Sequence, residues 1–62
     1  MCESAVFLRR EGDEELVAED VARVVPEGEQ VRVVTLLGEV LLVRARIAEI
    51  DLMGHKITLV PL

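Results

Sequence analysis

Apolar residues recur along this chain in short runs of strand length, broken at Gly12, at Pro26 to Gly28, at Gly38 and at Gly54. The runs are dominated by Val, Ile, Leu and Thr, side chains that suit a pleated, half-buried surface. The first predicted strand spans Cys2 to Arg10. Cys2, Ser4, Val6 and Leu8 occupy one side and Glu3, Ala5, Phe7 and Arg9 the other. Apolar residues on both sides predict a strand covered on both faces. The stretch EGDEE then reads as a polar hairpin loop. QVRVVTLLGEVLLVRARIAEIDL reads as a long hairpin turning at Leu37 to Glu39. MGHK is a tight turn, and KITLV closes the chain.

Two places depart from simple alternation. Between residues 14 and 24, Leu16, Val17, Val21 and Val24 fit one face of a short helix with Asp13 as its N-cap. The same stretch divides into two short strands, ELVAED and VARVV, and the strand reading is preferred. Further on, Val43, Ala45 and Ile47 hold one face against Arg44 and Arg46. Beyond Ala48 the phase flips, leaving Ile50 and Leu52 apolar between Glu49 and Asp51. A slip of one residue predicts a β-bulge or sharp bend near Ala48. The expected fold is all-β: one domain over residues 1–62, a small, strongly bent sheet or partly open barrel of the SH3-like or Sm-like kind.

Composition adds a requirement for a partner. A chain of 62 residues hides only about 60% of the surface its unfolded state exposes. Yet 52% of its residues are hydrophobic, and its single cysteine excludes an intrachain disulfide. A homodimer would cover the surplus. The net charge of −5 favours cations and opposes phosphate backbones. Phe7 is the only aromatic residue, so a stacking platform for bases is missing and nucleic acid is disfavoured as a partner. Arg44 and Arg46 are better read as cross-strand partners of carboxylates. Charges at Glu3, Arg9 and Arg10 interrupt any early export-type apolar run, and the uncharged stretch around Val40 to Val43 is too short to span a bilayer. With one thiol and no export pattern, the expected location is the reducing cytoplasm.

Catalytic apparatus is not visible. His55 is the sole histidine and follows Gly54 in a turn, where a solvent-exposed polar role is expected. The acidic run Glu11 to Glu15 lacks the ligand spacing of a calcium loop and reads as a solvated turn. Cys2 is the residue with chemistry to offer. Trimming of Met1 would join an α-amine and a thiol on one residue, a pair able to close a five-membered chelate ring. Both groups ordinarily titrate within about two units of neutrality, so a metal can displace their protons. Such donors suit Ni(II) or Cu(II) better than Mg(II), and Glu3 can add its backbone nitrogen or carboxylate. A buried cysteine that only packs is an equal reading of the residue by itself.

The order of the motifs carries further information. MCES at the start, EDVARV, VRVVTLLGE and IAEIDLMGHKITL together resemble the CooT family, small nickel-binding proteins associated with maturation of carbon monoxide dehydrogenase. The resemblance covers nearly the whole chain. It implies a β-rich homodimer that binds Ni(II) through Cys2 at or near the interface, with Glu3 as a neighbouring ligand. It further implies a non-catalytic accessory role toward a nickel-enzyme maturation factor or carbon monoxide dehydrogenase. The rival is a small-barrel module for RNA or protein in which Cys2 is purely structural.

Overall fold

The computed structural model describes residues 3–62, all of whose regular elements are strands. In chain order these are β1 (Ser4–Arg10), β2 (Asp13–Glu27), β3 (Gln30–Thr35), β4 (Val40–Val43), β5 (Ala45–Asp51) and β6 (Lys56–Pro61). They form one six-stranded sheet in the order β4-β3-β2-β1-β6-β5. All neighbours are antiparallel except β1 and β6, which run parallel. The sheet curls into a half-barrel. Its inner face carries Val6 and Leu8 from β1, Ala18 from β2, Val31 and Val33 from β3, Ala45 from β5 and Leu59 from β6, all buried. An apolar inner layer on a curled sheet replaces the second layer that a flat sheet of this size would need.

Local chemistry explains the turns. Glu11 and Gly12 both have positive φ, and Arg10 pairs with Asp13, which makes a two-residue hairpin of the type whose twist matches its strands. The expected loop EGDEE is therefore shorter than the sequence suggested. Asp13, Glu14 and Glu15 already belong to β2, and Glu14 faces Arg9 across the ladder. The turn at Leu37 to Glu39 is present as expected. Thr35 holds it by accepting from the Gly38 and Glu39 amides and by donating its own N–H to the Glu39 carbonyl.

The helix-like stretch is strand throughout, and it is one strand rather than two. Against β1, Ser4 pairs with Val21 but Val6 with Ala18, and Phe7 pairs with Leu16. Against β3, Val21 pairs with Thr35 but Arg23 with Val34. Each mismatch inserts an extra residue into β2, and Asp20 takes a left-handed conformation with φ of 53°. Bulges of this kind bend and twist a strand. Here they curl the sheet and let β2 serve two partners in succession. The bulge expected at Ala48 also occurs, between the pairs Ile47–Leu59 and Glu49–Thr58. The second arm of the long hairpin, by contrast, is divided at Arg44 into β4 and β5, which form opposite edges of the sheet.

The outer face is polar over one half. Lys56 donates to Glu14 at 2.6 Å, Arg9 lies 3.5 Å from Glu14, and Arg9 reaches Glu49 at 3.3 Å. The Lys56 ammonium also sits 4.9 Å above the Phe7 ring. These side chains lie over Thr58, which is fully buried although it points outward from a central strand. The hydrogen bond from Lys56, with the Arg9 charge helping, holds the Glu14 carboxyl below the usual carboxylate range.

Candidate functional site

The chemistry expected of this chain centres on its N-terminus, so the surroundings of Ser4, where β1 begins, define the candidate site. Cys2 lies outside the described residues. Glu3 is exposed and precedes β1 directly. Beside it, Ser4, Ala5, Glu19 and Asp20 complete the wall of a surface cavity of about 290 Å³. The carboxylates of Glu19 and Asp20 come to this place because of the β2 bulge. Plain alternation would have carried the strand past β1 without presenting two consecutive acidic residues to one cavity. That juxtaposition was not foreseen, and the only sign of it in the sequence is an acidic pair inside an otherwise apolar strand.

Two turns abut the same end of the half-barrel. The Ala5 N–H donates to the His55 carbonyl at 3.0 Å, which fixes the turn between β5 and β6 against β1. The Leu36 N–H donates to the Asp20 carbonyl at 2.8 Å, which fixes the turn between β3 and β4 against β2. His55 is exposed with φ of 53°, as expected of a polar turn residue. The apolar residues of these turns are exposed as well: Leu37 at 90%, Leu52 at 80% and Met53 at 92%. An acidic cavity flanked by two greasy turns thus marks the end at which β1 starts.

Among the described residues no three His, Cys, Asp or Glu side chains converge in a way that could hold a metal ion. The carboxylates nearby supply negative field rather than a finished ligand set. Arg44 lies 3.6 Å from Glu29, a carboxylate partner that sits in the turn between β2 and β3 and not across a strand pair, with both side chains largely exposed, and Arg46 has no ion pair among the described residues.

Comparison with known proteins decides the family. Residues 1–60 match the family described as CO dehydrogenase accessory protein CooT. The chain belongs to the CooT family. The crystal structure of a protein assigned as CooT from Carboxydothermus hydrogenoformans has the same fold, with a TM-score of 0.89 over 98% of each chain at 28% identity. A protein of Archaeoglobus fulgidus, described as uncharacterised, is 54% identical over 41 residues, which are 66% of this chain and 91% of that relative. CooT is a family of accessory proteins and not of enzymes. No helix in the described residues is long and apolar enough to cross a membrane.

Proposed function

We propose that this protein binds Ni(II) through Cys2, with Glu3 as a neighbouring ligand, and stores or delivers the ion for maturation of carbon monoxide dehydrogenase. The observation that carries this reading is the CooT match, which begins at residue 1 and so includes the cysteine. Nickel is cargo here, and the protein has no reaction to perform on it. Cys2 is covalently tied within two residues of Ser4, a reach of at most about 7 Å. Any ion held there lies near the cavity of Glu3, Glu19 and Asp20, whose charge favours the approach of a cation.

A homodimer with the two N-termini close together supports the same chemistry, since two thiolates form a more complete donor set than one. The exposed Leu36, Leu37, Leu52 and Met53 at that end favour this arrangement. A monomer of 6.9 kDa ordinarily exposes about 4,000 Å². This chain exposes 4429 Å². A reducing cytoplasm is the compartment in which such a thiol stays available.

Isothermal titration with Ni(II) tests the reading on two forms of the protein, one with Met1 removed and one retaining it. Binding at a ratio tied to the dimer, tighter in the trimmed form, is the expected result. Equal and weak binding by both forms would sink it.

A further inference from the structure

We propose that the apolar mouth of the half-barrel is the seat of the chain's own Met1 side chain, which fills it until that residue is trimmed. The mouth is a cavity of about 230 Å³ walled chiefly by Ser4, Val21, Val24, Ile47, Ile50 and Ile57. In the sheet β2 and β5 are separated by β1 and β6, so a cavity that touches both spans the concave face. Val21, Val24, Ile47 and Ile57 pack against the buried core but are only partly covered themselves. Ile50 pairs with Ile57 and stands 55% exposed. Apolar side chains gathered around a gap forgo the contacts that a filled interior supplies. An apolar occupant would restore them.

Size and tether select that occupant. Sites for small organic ligands commonly measure about 300–1,000 Å³, and this smaller one suits a single long side chain. Ser4 belongs to its wall, and Met1 stands three residues before Ser4. One β-turn over residues 1–4 would return the first Cα to within about 7 Å of the fourth. Met1 therefore reaches the cavity without disturbing β1. Its unbranched thioether suits an irregular apolar gap. The other long apolar side chains at this end, Leu36, Leu37, Leu52 and Met53, stand in solvent. A side chain tethered this closely is present at an effective concentration in the millimolar range, which one offered by a separate molecule does not match. Hydrolysis of the Met1–Cys2 bond by an aminopeptidase would consume one water, release methionine, free the Cys2 amine and empty the mouth. Trimming then couples exposure of that amine to exposure of an apolar face.

Methyl NMR of the full chain with Met1 retained and its methionine methyls labelled tests this without any metal, so its outcome is independent of the nickel reading. The chain has two methionines, and Met53 at 92% exposure serves as the solvent reference. The Met1 methyl should give cross-peaks to the methyls of Ile47, Ile50 and Ile57, and the Met53 methyl none of these. Ile50→Lys changes an exposed position, so it should keep the circular dichroism of the parent while losing the Met1 cross-peaks. An aminopeptidase must draw Met1 out before it can cut, so that variant should also be trimmed several-fold faster than the parent. Two methionine signals alike in the parent, both without such cross-peaks, would overturn the proposal, as would equal trimming rates. Cross-peaks found only between copies, in a mixture of labelled and unlabelled chains, would assign the mouth to a second copy and overturn it too.

Discussion

The two edge strands of the sheet follow each other in sequence, separated only by Arg44, and yet they treat solvent in opposite ways. β5 carries Arg46, Glu49 and Asp51 on its outer face and is broken in register at Ala48. Charges and a bulge together discourage another strand from pairing along it. β4 has neither, and leaves Val40, Leu41 and Leu42 partly in water. Within one curled sheet, then, one edge is closed by its own sequence and the other is left open. An edge with unpaired backbone groups and apolar side chains is open to a further strand in a way that the charged, bulged edge is not.

Both edges depend on the same inner layer, and the largest expected effect comes from breaking that. Leu59 is fully buried in β6, between β1 and β5. Leu59→Ala should destabilise the protein by about 2–5 kcal/mol in denaturant unfolding. In a chain this small that approaches the whole of its stability, and a loss below about 0.5 kcal/mol, of the kind surface changes give, would contradict the assigned core.

Next in size is the removal of the device that closes β5. Deleting Ala48 takes out the extra residue and joins Ile47 to Glu49 in unbroken register with Leu59 and Thr58, so Ile50 keeps its face while the edge loses its bulge. The expected outcome is a straighter edge and concentration-dependent self-association beyond that of the parent, read by sedimentation. A deletion variant as monodisperse as the parent would show that the bulge does not guard the edge. Smaller still is the effect of pH on the ion pairs over Thr58. The Glu14 carboxyl is held low in the folded state, chiefly by Lys56, so it stabilises the fold above its unfolded pKa. That contribution is lost as pH falls through the folded value. The acid limb of a stability profile should therefore flatten in Glu14→Gln, and the neutral limb should show only a modest loss because the pair is exposed.

Sequence patterning was a good guide where alternation slipped once and a poor one where it slipped repeatedly. The bulge at Ala48 was legible because a clean period of two on each side defined a single phase change. Residues 14–24 resembled a helical face because successive extra residues in β2 spread its apolar positions to spacings of three and four. Alternation and helical periodicity then become indistinguishable. The corner at Arg44 carries neither glycine nor proline, and nothing local marks the end of β4. Near the candidate site, the acidic residues of β2 became neighbours of Glu3 only through the bulge at Asp20. The resemblance to CooT was legible in the order of short motifs, and the family match bears it out.

The central claim is that the thiol of Cys2 holds nickel. Its most direct test is spectroscopic titration of the Met1-trimmed protein and its Cys2→Ser variant with Ni(II). The parent should develop sulfur-to-metal charge-transfer absorption that saturates at a ratio tied to the proposed homodimer. Cys2→Ser should show neither that band nor comparable affinity, while keeping the circular dichroism of the parent because the two side chains are close in size. Nickel bound as tightly by Cys2→Ser as by the parent would make the cysteine a packing residue and contradict the account.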